Sequence, residues 1–260
     1  MDLDRASDLR ASIRGGDALV GGWVSIGHPA VAEITADAGP DFVVVDTEHG
    51  ELGIGDVADA IRGIEAADGA VPLARVPAAD PVPVKRVLDA GAAGVMVPRV
   101  DPAADAELVV DATTYPPDGV RGTAGARTSR YGSDLPEHIE GADDALTRIV
   151  QVETEEAVGN AADIAAVEGV DALFVGPADL STALGVPLDY DADPFRAAVE
   201  RVVAAASEAG VPTGIFVTDP DRMDEWLDLG FDFAIVGYDA AFLRSGTEEM
   251  VEAFRSAAEE

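Results

Sequence analysis

Short apolar runs rich in β-branched residues recur along the chain, at 19–26, 42–46, 71–76, 94–100, 148–152, 172–175, 213–217 and 233–236. Most are continuous rather than alternating, the pattern of strands buried on both faces. Between them lie amphipathic, alanine-rich stretches with a repeated punctuation. Asp-Pro opens four of them (Asp80-Pro81, Asp101-Pro102, Asp193-Pro194 and Asp219-Pro220), which places Asp at the N-cap and proline at the first helical position. Gly39, Gly91, Gly210 and Gly230 close several, as left-handed C-caps do. Eight strands alternating with helices over 260 residues predict an α/β fold, a (β/α)8 TIM barrel. A doubly wound open sheet is the alternative. No linker or shift in composition divides the chain, so residues 1–260 read as one domain.

The widest gap between runs holds a Gly- and Arg-rich segment, residues 115–132, after the fourth strand. Long segments of this kind in compact domains usually serve function, and this one is expected over the catalytic face as an active-site loop. Residues 239–260 read as a C-terminal helix.

Charge narrows the function. Fifty acidic residues against 17 basic ones give a formal net charge of −33, spread along the chain. Such a surface repels a phosphate backbone or an anionic membrane, so a nucleic-acid partner is excluded. The balance points to adaptation to high salt, where screening relieves self-repulsion. No run approaches the roughly 18 apolar residues of a membrane helix, and the acidic N-terminus is unlike a signal peptide. A cytoplasmic location is expected. Cysteine is absent, which excludes thiol nucleophiles and thiolate metal sites, and the sole lysine, Lys85, falls in a helical stretch rather than at a strand end.

In a barrel of this type, side chains at the carboxyl ends of the strands converge on one site. Those ends carry Asp46, Glu48 and His49 after the second strand, Arg75 at the end of the third, Gln151 and Glu153 at the fifth, and Asp179 after the sixth. Glu153 and Asp179 are the best metal pair. Two carboxylates without thiol or histidine clusters suit Mg2+ or Mn2+, with water or substrate completing the shell; each could instead cap the helix that follows it. His49 is a candidate base, with Asp46 and Glu48 beside it to orient or charge the ring. Arg75, emerging from a buried strand, needs an anionic partner in the protein or in a substrate. His28 and His138 read as structural or surface residues. Gly53-Ile-Gly55-Asp-Val-Ala58 imitates a dinucleotide-binding pattern, but it lies too far beyond its strand and Asp56 would confront the pyrophosphate.

Several blocks together bring a family into view. They are Val45-Asp-Thr-Glu-His-Gly50, Ala74-Arg75-Val-Pro77, Asp80 to Gly91, Gly94-Val-Met-Val-Pro98, Tyr115-Pro-Pro-Asp-Gly-Val-Arg-Gly122, Val150-Gln-Val-Glu-Thr154 and Gly169 to Ser181. In order and content the chain resembles the HpcH/HpaI aldolases, the metal-dependent pyruvate aldolases typified by 4-hydroxy-2-oxoheptanedioate aldolase. The resemblance runs from about Gly21 to Leu243. It implies a lyase that reversibly cleaves 4-hydroxy-2-oxo acids, including 2-keto-3-deoxy acids, to pyruvate and an aldehyde. It also implies a divalent ion, Mg2+ or Mn2+ with Co2+ a further option, held by Glu153 and Asp179. Arg75 would stabilise the enolate oxygen and His49 would take the C4-hydroxyl proton. Asp46 and Gln151 would support the site, and the backbone of Gly122, Thr123, Ala124 and Gly125 would hold a substrate carboxylate.

The family pairs this histidine with an aspartate that matches Asp89. Asp89 falls at the end of a helix just before the fourth strand, on the face opposite the site, so the pair would form between subunits of a homo-oligomer, the family's hexamer. The rival readings are an acyl-CoA lyase on a related barrel and a non-catalytic metabolite-binding barrel. Gly27-His-Pro29 and Ala126 to Arg130 lie where acceptor aldehydes would bind, and leave the aldehyde unnamed.

Overall fold

A computed structural model describes residues 1–67 and 69–259. Its eight parallel strands are β1 (Leu19–Val24), β2 (Phe42–Asp46), β3 (Val71–Arg75), β4 (Gly94–Val97), β5 (Thr147–Val152), β6 (Ala172–Val175), β7 (Thr213–Val217) and β8 (Phe233–Val236). Each pairs with its neighbours in sequence, and β8 returns to β1, so the sheet closes into a barrel. The open-sheet alternative is therefore set aside.

Eleven helices accompany the described strands. They are α1 (Leu3–Arg14), α2 (Pro29–Asp37), α3 (Ile54–Ala66), α4 (Pro81–Ala90), α5 (Ala103–Thr113) and α6 (Leu135–Ala145), then α7 (Glu155–Ala165), α8 (Pro177–Ala183), α9 (Asp193–Ala209), α10 (Met223–Asp228) and α11 (Asp239–Ala258).

The continuous apolar runs resolve into two cores. Outward residues such as Val43, Val45, Val95, Val150 and Leu173 pack beneath the helices. Inward residues, among them Phe42, Val44, Leu73, Met96, Ile149 and Phe233, fill the barrel. Two glycines make room for the largest rings. A Cβ on Gly21 would sit 2.5 Å from the Phe42 ring, and one on Gly214 would sit 2.3 Å from Phe233. Ala6, Leu9 and Ile13 of α1 join the inward core and stop the amino-terminal end of the barrel. The carboxyl end is thereby left open, with a cavity at its mouth.

The Asp-Pro punctuation holds in part. Asp80 caps α4 through Val82 N at 2.7 Å, and Asp219 caps the 3-10 turn Pro220–Arg222. Asp101 and Asp193 do not cap: Pro102 and Ala192 occupy those N-cap positions. Gly91 and Gly210 are left-handed C-caps as expected. The glycine-rich imitation of a cofactor loop is the N-terminus of α3, where Asp56 accepts from Gly53 N at 2.8 Å.

Helix α11 is present where expected, but it stands off the barrel. Only Asp239 in it is buried, and its apolar residues Phe242, Leu243, Met250 and Phe254 are 60–75% exposed. Asp239 anchors its start by accepting from Ser25 N, Ser25 Oγ and Ile26 N at the end of β1. No described helix is long and apolar enough to cross a membrane.

Candidate active site

The carboxyl ends of the strands surround a cavity of about 510 Å3 whose lining includes Asp46, His49, Arg75, Gln151 and Asp179. Its polar half rises from β2, β3, β5 and β6. The register sets Asp46 opposite Arg75 at the last step of the β2–β3 ladder. Arg75 Nε and Nη2 donate to the two Asp46 oxygens at 2.9 and 2.7 Å, a bidentate fork that fixes the plane of the guanidinium. Nη1 meets Glu48 Oε2 at 2.8 Å, and the Trp23 ring lies 4.6 Å beneath the cation. Arg75 is thus paired within the protein, by Asp46 and Glu48 rather than by Glu153 or Asp179.

Glu153 is buried at the end of β5. Its Oε1 accepts from Arg99 N at 2.9 Å and its Oε2 from Gln151 Nε2 at 3.3 Å. Arg99 adopts φ +50°, a strained conformation for a residue with a Cβ, and so turns its N–H toward Glu153. Burial pushes the Glu153 carboxyl up to about 7, and the charges of Asp179 and Glu48 push it the same way. Glu48 is also raised by burial, against the pull of Arg75.

The charge of Asp179 pushes both Glu153 and Glu48 upward, and carboxylates crowded in this way form a place that favours a cation. The Gln151 Oε1 atom is buried with no partner, a further oxygen facing the same need. Gly176 supplies room: a Cβ there would lie 2.8 Å from Glu153 Oε2. Hard oxygen donors of this kind suit a divalent ion. Among the described residues no group of three Asp, Glu or His side chains forms a ready ligand set. A bound ion would therefore rest on Glu153 and Asp179 and take its other ligands from water and substrate.

His49 sits at the rim with its side chain 69% exposed, and its Nε2 lies 3.9 Å from Glu48 Oε2. Sequence reasoning placed Glu48 beside His49 but missed its bond to Arg75, which links the two candidate catalytic groups. His28 caps α2, its Nδ1 accepting from Ala30 N at 3.2 Å. His138 is buried beneath Arg121 and held near pKa 4 by burial and that cation, so it is neutral at physiological pH.

The expectation for residues 115–132 requires correction. Rather than covering the carboxyl ends of its own strands, the segment packs at the opposite end of the barrel. Arg127 donates to Ala90 O at the end of α4 and pairs with Glu65 at the end of α3, and the amino terminus donates to Thr128 O at 3.1 Å. Gly122 lies against Lys85 of α4. The physical reason is that α5, antiparallel to its strand, delivers the chain to the barrel's amino-terminal end, where contacts with α3, α4 and the amino terminus hold the segment. Asp89 lies in the same region, where burial raises its carboxyl against the pull of Arg121 and Lys85. Within one chain, then, Asp89 and the stretch from Gly122 to Gly125 are remote from Glu153 and His49.

The model of the HpcH/HpaI aldolase/citrate lyase family matches residues 19–245. The chain belongs to that family. The hydroxypyruvate/pyruvate aldolase of Paraburkholderia phytofirmans is 38% identical over 254 residues, covering 95% of this chain and 97% of that protein. A 4-hydroxy-2-oxovalerate aldolase of Novosphingobium aromaticivorans is 36% identical, with 96% and 95% covered. A crystal structure of an HpcH/HpaI aldolase/citrate lyase family protein from Burkholderia cenocepacia J2315 superposes with a TM-score of 0.92 at 38% identity, covering 96% of this chain and 99% of that one. The HpcH/HpaI match takes in every element that carries the site, from β1 to the start of α11, and omits the barrel-stopping α1.

Proposed function

We propose that the protein is a divalent-metal-dependent aldolase, a lyase that cleaves 4-hydroxy-2-oxo acids reversibly into pyruvate and an aldehyde. The observation that carries this reading is the buried Glu153 carboxyl, raised to about 7 by burial and by the charge of Asp179, which lines the same cavity as a fixed guanidinium. Its relatives named as pyruvate and 4-hydroxy-2-oxo-acid aldolases support the same reaction class. When bound at Glu153 and Asp179, Mg2+, Mn2+ or Co2+ supplies the Lewis acidity that lowers the energy of the pyruvate enolate.

The chain's own groups do the rest. Arg75, its plane set by Asp46 and Trp23, presents positive charge to the oxygen that becomes negative as the enolate forms, with no reorganisation at that moment. Gln151 lines the cavity and orients the Glu153 carboxylate. His49 takes the C4-hydroxyl proton, C3–C4 breaks with its electron pair passing to C3, the aldehyde departs, and protonation of C3 yields pyruvate.

His49 is exposed, and its partner Asp89 belongs to a second copy, as do Gly122, Thr123, Ala124 and Gly125. The exposed apolar face of α11 supports self-association, as does the apolar groove beside it, lined by Val20, Ile26, Val31 and Ile34. We take the assembly to be a hexamer, the expectation that follows from the family resemblance. We place the protein in the cytoplasm of a cell with high internal salt, on its charge of −33. Replacement of Arg75 or Glu153 by Ala abolishes pyruvate release with the fold intact; activity retained in either variant overturns the assignment.

A further inference from the structure

The half of the cavity opposite the carboxylates has its own chemistry. It rises from β1, β7 and β8 and from the segment between α8 and α9, and it is aromatic. Trp23 and Phe216 meet edge to face with ring centroids 5.3 Å apart, and Phe216 lies 6.5 Å from Tyr238. Across the mouth, Tyr190 is braced by Phe195 at 5.2 Å and Trp226 at 6.5 Å. Trp23, Phe216, Tyr238 and Tyr190 all line the same space as Arg75 and Asp179. Packed against one another, these rings present apolar edges and faces to the cavity they line, the surface that a further ring pairs with edge-on or offset.

Charge points the same way. Arg75 is the one permanently cationic side chain lining the cavity among the described residues, and its three nitrogens are engaged by Asp46 and Glu48. Asp46 and Asp179 face the same space. Within this lining a second carboxylate on the aldehyde half of a substrate would meet no cation but the engaged Arg75 and would lose its hydration against aromatic carbon; Arg222, 5.7 Å over the Tyr190 ring, is itself paired with Asp191 and Glu225. A cavity of about 510 Å3 accommodates pyruvate and a six-membered ring together.

We infer that Trp23, Phe216, Tyr238 and Tyr190 form the acceptor subsite and select an uncharged aromatic aldehyde, so that the cleaved acid is a 4-aryl-4-hydroxy-2-oxobutanoate. This inference rests on the proposed aldolase reaction. The step is the one already written: C3–C4 breaks, the C4-hydroxyl proton leaves, and the arylaldehyde and pyruvate are the products.

The test has two parts, both with the full chain in molar KCl and Mn2+. Exchange of pyruvate C3 protons in D2O reads enolate formation without any acceptor. The aldol addition of pyruvate to benzaldehyde and to succinic semialdehyde, followed by kcat/KM, reads the acceptor subsite. Exchange is expected, with benzaldehyde preferred by about tenfold or more. The same preference is expected to fall by about tenfold in Tyr238→Val and in Phe216→Leu, two variants that enlarge the wall independently. Exchange with equal or greater use of the semialdehyde, or an unchanged preference in both variants, overturns the aromatic subsite and leaves the aldolase intact. Absence of exchange from folded protein overturns the aldolase reading, and the subsite with it.

Discussion

Glu153→Gln is expected to stabilise the metal-free protein above neutral pH while destroying its activity. The native carboxyl titrates at about 7 against an ordinary 4.5. Between these values the native state holds a proton that the unfolded chain has released, so stability falls as pH rises through that window. Above it, both states are ionised and the native state carries the full penalty. At 1.36 kcal/mol per pH unit the difference amounts to about 3 kcal/mol.

Glutamine removes this cost. The Glu153 Oε1 position can still accept from Arg99 N. The amide of Gln151 can turn, so that its unpartnered Oε1 accepts from the new side-chain amide where Nε2 had donated. For a chain of this size the gain corresponds to a rise in Tm of about 5 °C or more. The assay is thermal unfolding with EDTA at pH 8 and pH 5, at fixed high salt. The variant should melt well above wild type at pH 8 and close to it at pH 5, and Mn2+ should raise the wild type alone. A variant that melts at or below wild type at pH 8 refutes the argument that the buried carboxyl is destabilised and held for a cation.

Other outcomes follow from the same geometry. Arg75→Lys keeps the charge but loses the bidentate fork with Asp46, and kcat for pyruvate release should drop by about 100-fold or more. Gly176→Ala places a Cβ against Glu153 Oε2, and titration calorimetry should find Mn2+ binding weakened by about tenfold while the fold persists. Met250→Asp with Phe254→Asp charges the exposed face of α11; sedimentation should then report a smaller species than wild type, and an unchanged mass would remove α11 from the assembly. With its charge of −33, the protein should gain Tm steadily from dilute to molar KCl, and a flat response would dismiss adaptation to salt.

Much of the fold was legible because each strand is buried on both faces and leaves a continuous apolar run between polar helical stretches. Helix α1 was overlooked, although Asp2 at its N-cap and the spacing of Ala6, Leu9 and Ile13 are readable signals. At the site, the polar ends of β2, β3 and β5 announced Asp46, Arg75, Gln151 and Glu153, because polar residues closing several apolar strands of one barrel converge on the same end. The position of residues 115–132 was not legible, since order along the chain tells which strand a segment follows and not at which end of the barrel it comes to rest. The Arg99 backbone donor depends on one left-handed residue that carries no glycine to mark it. The aromatic wall was also hidden. Trp23, Phe216 and Tyr238 are more than two hundred positions apart at the extremes and become neighbours only when β8 closes on β1.

The most direct test of metal-dependent aldol cleavage is pyruvate released from a panel of 4-hydroxy-2-oxo acids, including 4-hydroxy-2-oxoheptanedioate and its 4-phenyl counterpart, in molar KCl. Release should require Mg2+ or Mn2+, stop on addition of EDTA and return when the metal is restored. Release that persists in EDTA, or folded and metal-loaded protein that releases pyruvate from none of them, would contradict the assignment of Glu153, Asp179 and Arg75 to this chemistry.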